Sequence, residues 1–367
     1  MKEQIQKLLD LADVKINGSR PWDIQVHNEN FYKRVLSGGS LALGESYMDG
    51  WWDCEQLDEF FNKVLTAELD KKVVSKKFLL NILQAKLFNL QTKTRSKKVG
   101  EVHYDVGNDL YKLMLDKRMN YSCAYWPGAK NLDEAQEQKL DLICKKMRLK
   151  EGMKVADIGC GWGAFCKYAA EKYKVKATGV TISKEQAKLA KESCKDLPVE
   201  IKLIDYRDLT GEFNAVVSIG MFEHVGYKNY REYLKKIYDL LPDGGIFLLH
   251  TIGGIKSTNI GEAFLDKYIF PHGMLPSIKQ IAEAAEGLFI IEDLHNLSVN
   301  YDKTLMEWIK NFNKNWDKIK DNYDKRFFRM WNYYLGSVAG AFRSRDNQLW
   351  QIVLSKGRLK EGYERPN

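Results

Sequence analysis

The chain has 367 residues, 44% of them hydrophobic, and 57 Lys and Arg against 49 Asp and Glu, a net charge of +8. That length suits about two domains. No run approaches the ~18 apolar residues of a membrane-spanning helix, and the charged start MKEQIQKLLDLADVKING excludes a secretory signal, which predicts a cytosolic chain. Six cysteines (54, 123, 144, 160, 166 and 194) show no CxxC spacing, which argues against a disulfide framework or zinc site. The positive excess favours an anionic partner, nucleic acid or phospholipid headgroups, without choosing between them.

Residues 1–68 are mixed in character, with Pro21 and a Gly38-Gly39 turn. The stretch 69–100 is basic, with nine Lys or Arg against one Asp. Leu79, Leu83, Leu87 and Leu90 follow helical spacing there. A core-packed helix with a solvated basic face and a membrane-surface element both fit, and the two can coexist. HYDVGNDLY (103–111) and NYSCAYW (120–126) are dense in aromatic and small polar residues. Cys123 is either a nucleophile or a buried thiol among packing rings.

From about residue 150 strands and helices alternate. Strands are expected at 154–159, 175–182, 199–204, 213–220 and 245–252, with helices up to 173 and over 184–194 and 229–240. Later strands are expected at 288–294 and 348–354, with helical insertions over 254–286 and 301–345. This alternation predicts a parallel, doubly wound α/β sheet. VADIGCGWG (155–163) runs a short apolar strand into Gly159-x-Gly161-x-Gly163, where glycines let the backbone approach a ligand closely.

The glycines also fit a dinucleotide pattern. Asp157, two residues before the first glycine, favours a ligand with a positive end and would repel a pyrophosphate. S-adenosylmethionine has an ammonium and no phosphate, so a methyltransferase is preferred over NAD(P) or FAD binding. A ribose-binding acid is expected near 181, but Thr181 stands there. Thr181, Ser183 or Gln186 then binds ribose hydroxyls, or each serves as a helix cap or turn. Asp205 and Tyr206 sit where an adenine edge and face would be held; Asp205 equally suits a cap.

In an open α/β sheet the ligand lies beyond the carboxyl ends of the strands. Glu223 in GMFEHVG (220–226) and His250 in FLLHTIG (247–253) both fall there. His224 points away from Glu223 in extended backbone and is left with a packing or hydrogen-bonding role. A metal site from Glu223, His224 and His250 lacks ligand spacing, and no metal is expected. No NPPY-like motif follows the fourth strand, which weakens the nucleic-acid reading.

Taken together, GESYMDGWW (44–52), KLFNLQ (86–91), HYDVGNDLY, YSCAYW, DIGCGWG, GVTIS, DYRDL (205–209), GMFEHVG, FLLHTIG, KYIFPHGMLPS (267–277), NYDKTLMEW (300–308) and AFRSRDNQLWQ (341–351) closely resemble the cyclopropane-fatty-acyl-phospholipid synthases. They span nearly the whole chain in one order.

The resemblance implies a Rossmann-like class I methyltransferase sheet with helical lipid-site insertions and a small, mostly helical N-terminal domain. It implies an N-terminal domain at 1–98 and a catalytic domain at 99–367. The methyl carbon of S-adenosylmethionine would go to a cis double bond of a phospholipid acyl chain and close a ring after losing one proton. Aromatic faces such as Tyr121, Tyr125, Trp126, Phe222, Tyr268 and Tyr301 would stabilise the cation.

Bound bicarbonate is the implied base, contacted by Cys123, Glu223, His250, Ile252 and Tyr301. The implied cofactor contacts are Tyr121, Ser122, Gly159, Gly161, Thr181, Gln186 and Tyr206, to which the ammonium reasoning adds Asp157. Partners follow: unsaturated phospholipid in the bilayer, an anionic membrane surface at the inner face, and a second copy in a homodimer, with no nucleic acid. The alternatives are a small-amine methyltransferase, like the plant alkaloid N-methyltransferases that share several motifs, and a non-catalytic lipid-surface protein.

Overall fold

The computed structural model describes residues 1–69 and 107–366. The basic stretch, over residues 70–100, and the start of HYDVGNDLY lie outside the described residues. The chain groups into two compact units. One holds 1–69, 259–273 and 301–347 of the described residues, and the other holds 107–258, 274–300 and 348–366.

The second unit carries the sheet. Its strands are β1 (Lys154–Ile158), β2 (Lys176–Thr181), β3 (Val199–Leu203), β4 (Ala215–Ile219), β5 (Ile246–Gly254), β6 (Ile290–Asn296) and β7 (Asn347–Ser355). They lie in the order β3-β2-β1-β4-β5-β7-β6. β1 pairs in parallel with both β2 and β4, so strand order reverses at β1. In such a fold the crevice at that reversal is where ligands bind.

The expected parallel sheet needs one correction: β6 and β7 run antiparallel, with a bulge at Ile291/Asp293. Strand–helix alternation fixes direction only where a crossover joins neighbouring strands. Two long helices, Ser298–Asn315 and Lys325–Arg343, separate β6 from β7 in sequence and leave that direction open.

The central strands alternate side chains between two apolar layers. Val216, Phe247 and Leu249 pack with Tyr233, Leu234, Ile237 and Ile281. Val155, Val217 and Leu248 pack with Ile143, Phe165, Ala169 and Ala190. Both faces of the sheet are therefore covered by helices, as a parallel sheet requires. Helix starts are set by side-chain caps. Asn131 accepts from Glu134 N–H at 2.9 Å to open Leu132–Lys146, and Ser183 accepts from Gln186 N–H to open Lys184–Ser193.

The first unit is mainly helical. Its core is aromatic: Trp52, fully buried, packs against Tyr47, Phe60 and Tyr333 with ring centroids 5.1, 5.5 and 6.4 Å away. Arg343 ties it together through Asp302 and Asp58. No helix among the described residues is long and apolar enough to cross a membrane.

Candidate active site

The reversal at β1 puts two loops at one edge of the sheet: the glycine loop after β1 and Gly220–Glu223 after β4. Gly159 and Gly161 both have positive φ, +86° and +53°. A Cβ on Gly159 would come within 2.7 Å of Met221, so the two loops touch through a position only glycine can fill. A Cβ on Gly161 would meet nothing within 4 Å, which leaves bare backbone facing open space.

Asp157 lies at the end of β1, 2% exposed. Its Oδ2 accepts a long hydrogen bond from the Cys166 thiol at 3.7 Å, and its Oδ1 is buried with no partner among the described residues. Burial pushes its carboxyl up to about 7, against the opposing pull of Cys166 and Lys139. An orphaned carboxylate oxygen beside an open glycine backbone fits a ligand with an ammonium and no phosphate. That is the donor set S-adenosylmethionine requires.

The other cofactor candidates sit around the same loop. Thr181, at the end of β2, donates to Gln186 Oε1 at 3.0 Å, and both are buried. Ser183 is spent as the helix cap. Asp205 caps the following turn: Oδ1 accepts from Arg207 N–H at 3.0 Å and Oδ2 from its guanidinium at 3.3 Å. Tyr206 is buried, edge-on to Tyr233 at 5.0 Å. Tyr121 reaches the glycine loop through a row of rings, 5.1 Å to Tyr111 and from there 5.0 Å to Trp162.

Glu223 stands in the short turn Phe222–His224 after β4. The stacked pair Phe222–Tyr230, 4.2 Å apart, lines that turn with apolar surface. Glu223 Oε1 accepts the backbone N–H of Ile252 at 2.6 Å, while Oε2 is buried without a partner among the described residues. Burial pushes the carboxyl up to about 7, despite the Ile252 N–H. Ile252 thus enters the site as the N–H that fixes Glu223.

His250 lies on β5 beside Ile219 of β4 and is 1% exposed. Burial holds its imidazole well below the usual range, so it is neutral. Gln351 on β7 donates from Nε2 to His250 Nδ1 at 3.2 Å. With the Gln351 amide in this orientation Nδ1 accepts and the ring proton sits on Nε2, which is buried with no partner among the described residues. His224 is also neutral, lowered by burial to about 4.

Cys123 is fully buried, its thiol donating to the Ala124 carbonyl at 3.2 Å. Tyr301 belongs to the first unit, its ring against Phe342 at 4.6 Å and Trp308 at 5.9 Å. Among the described residues no group of three or more His, Cys, Asp or Glu is placed to hold a metal ion.

Sequence reasoning missed two supports. Gln351 is one; a glutamine inside an otherwise buried strand was its signal. Lys139 is the other: it is 1% exposed and donates to Asn120 Oδ1 and Ser122 Oγ, both at 3.0 Å. Its signal was position, since Leu132, Gln136, Lys139 and Ile143 fall on one buried helix face.

Comparison with known proteins agrees with this geometry. Residues 91–352 match the mycolic acid cyclopropane synthetase family. The cyclopropane-fatty-acyl-phospholipid synthase of Escherichia coli K12 is 54% identical over 96% of this chain and 92% of its own. Among solved structures, the mycolic acid cyclopropane synthase CmaA1 complexed with SAH and CTAB superposes with a TM-score of 0.67 at 32% identity, over 71% of this chain and 98% of that one. Coclaurine N-methyltransferase, 20% identical, shares the fold with a TM-score of 0.70 over 86% of this chain and 99% of that one.

Proposed function

The chain belongs to the mycolic acid cyclopropane synthetase family, and on that premise we propose that it builds a cyclopropane ring on a cis double bond of a phospholipid acyl chain, with bicarbonate as the base. The reading rests on one observation above the others. Glu223 Oε2, an acceptor after β4, and His250 Nε2 on β5, a donor in the tautomer that Gln351 supports, are both buried with no partner among the described residues. Leaving each unmatched costs about 1–3 kcal/mol. A small anion with one hydroxyl satisfies both: its O–H donates to Glu223 and another of its oxygens accepts from His250.

S-adenosylmethionine, when bound, supplies an electrophilic methyl group. The chain positions and shields. The glycine loop brings backbone close to the cofactor, and Asp157 holds its ammonium. An alkene is a weak nucleophile, so proximity and exclusion of water must lower the barrier. Tyr121 offers a ring face to the positive charge that develops on the acyl chain, whereas Phe222, expected from sequence to do the same, is fully buried and stacked on Tyr230. Glu223 and His250 would hold bicarbonate, which would supply the base for the proton lost as the ring closes. Glu223 must be ionised to hold its hydroxyl, and His250 must be neutral with its proton on Nε2. Cys123 is a further contact for the anion that the family resemblance implies.

The E. coli relative's name specifies a phospholipid substrate. We extend that substrate to this chain, with peripheral docking at the cytoplasmic membrane face, residues 1–98 as the lipid- and dimer-associated part and 99–367 as the catalytic part. Methyl-labelled S-adenosylmethionine incubated with vesicles of unsaturated phospholipid tests the reading. Labelled ring-containing acyl chains support it. Label confined to an added small amine indicates an N-methyltransferase, and no transfer indicates a non-catalytic lipid-surface protein; either overturns it.

A further inference from the structure

Lys139 is a buried lysine whose hydrogen bonds go to neutral oxygens. It projects from Leu132–Lys146 and holds Asn120 Oδ1 and Ser122 Oγ at 3.0 Å each. Asn120 is itself fixed by Asp116, which accepts its N–H at 2.7 Å and its side-chain amide at 2.9 Å. One helical turn before Lys139, Gln136 donates to the Ser122 carbonyl at 2.8 Å. Ser122 is therefore gripped on its side chain and its backbone from one helix face. The residues on either side of it, Tyr121 and Cys123, are a cofactor candidate and an anion candidate.

A lysine here is a costly way to anchor a loop. Burying an ammonium is unfavourable by several kcal/mol even after relaxation, and a neutral donor could make the same two hydrogen bonds. Burial lowers its affinity for a proton to about 8, opposed by Asp116, Cys123 and Asp157, so it still carries charge at neutral pH. Its charge acts on both halves of the site, favouring ionised Asp157 and disfavouring a protonated His250. A fixed cation in a dry pocket is what a small anion beside a carboxylate needs.

We propose that Lys139 is a positioning residue of the ring-forming reaction, fixing the Asn120–Cys123 segment and supplying the positive charge that keeps bicarbonate in an otherwise apolar pocket. The inference rests on the bicarbonate reading above. A merely structural lysine would affect folding or all ligands alike. The charge attracts the anion itself but reaches the cofactor only through Asp157, so bicarbonate responds more than cofactor.

The test is turnover by the full chain in CO2-free buffer against added bicarbonate, for the wild type and Lys139→Met, alongside calorimetric titration of both proteins with S-adenosylhomocysteine. For Lys139→Met the half-saturating bicarbonate is expected to rise about tenfold or more, equivalent to about 1.4 kcal/mol, with a much smaller change in the Kd of S-adenosylhomocysteine. A folded Lys139→Met with the wild-type bicarbonate dependence, or with equal losses for both ligands, overturns the proposal and leaves the base reading standing. Should Lys139→Met not fold, Lys139→Gln, which is neutral but keeps a donor, is read by the same criteria. A wild type indifferent to bicarbonate overturns both readings together.

Discussion

Glu223 and Ile252 are joined by a 2.6 Å hydrogen bond across neighbouring strand ends, and that bond decides which carboxylate oxygen is left for a ligand. Oε1 is committed to the backbone; Oε2 is not. Glu223→Gln can keep the first contact through its carbonyl, but presents an amide donor where an acceptor is required. We expect kcat to fall about 10²–10³-fold, within the usual range for losing a proton-transfer partner, with affinity for S-adenosylmethionine changed by less than about threefold. Equal losses in turnover and cofactor binding would count against the role given to Glu223.

The same carboxyl sets a pH dependence. Its affinity for protons is raised by burial to about 7. The ionised form accepts the bicarbonate hydroxyl, so turnover at saturating substrate should rise with pH and level off above about 7. The stability sign is opposite. A carboxyl raised above its unfolded value binds more protons in the folded state, so its contribution is present below the unfolded pKa and is lost as pH rises through about 7. Asp157, also raised to about 7, acts the same way. The buried neutral histidines His224 and His250 titrate with the opposite sign, so the carboxyl is isolated by substitution: between pH 5.5 and pH 8 the unliganded wild type should lose stability relative to Glu223→Gln, which lacks this titration. Scanning calorimetry of both proteins at the two values checks this, and a stability difference independent of pH would contradict the raised carboxyl of Glu223.

His250 depends on Gln351 for its tautomer. Gln351→Leu removes the donor to Nδ1 and frees the ring proton to sit on either nitrogen. We expect turnover to drop about tenfold and stability by about 1 kcal/mol, the usual worth of one hydrogen bond. Nitrogen-15 chemical shifts of the imidazole would report the change: a single Nε2–H form in the wild type and a mixture in the variant. An unchanged tautomer would show that Gln351 does not set it.

The two loop glycines separate packing from ligand approach. Gly159→Ala must displace Met221, whereas Gly161→Ala meets no protein atom. Both carry the left-handed strain of about 1 kcal/mol. Gly159→Ala should lose both thermal stability and cofactor binding. Gly161→Ala should lose chiefly cofactor binding, measured by calorimetric titration with S-adenosylhomocysteine. Wild-type binding by Gly161→Ala would place the cofactor elsewhere.

The central strands were legible because a run such as AVVSIG is apolar on both faces and ends on glycine. The loops carrying Asp157 and Glu223 were legible for the same reason: a carboxylate at the end of such a strand has no place in a core. Lys139 was hidden because a lysine in a helix normally marks the solvent face, and only its neighbours Leu132 and Ile143 betray the buried side. Asp205 was ambiguous in sequence and is a cap in the structure, since both oxygens are committed to Arg207. The β6–β7 direction was illegible because no short crossover constrains it.

Membrane docking is carried by sequence alone. Lys71, Lys72, Lys76 and Lys77 fall in the basic stretch outside the described residues. Each lysine near an anionic surface is worth about 1 kcal/mol. Reversing all four to Glu should greatly reduce co-sedimentation with anionic vesicles and leave binding of S-adenosylhomocysteine unchanged. Undiminished co-sedimentation would remove this stretch from the docking surface.

In the proposed reaction one methyl carbon is transferred and one of its protons is then removed inside the Glu223–His250 site. The most direct measurement uses S-adenosylmethionine with a trideuterated methyl group and vesicles of unsaturated phospholipid, with mass spectrometry of the released acyl chains. The account predicts a ring carbon that retains two of the three deuterons. Product retaining all three, as a methyl branch or a methylated amine, would contradict it.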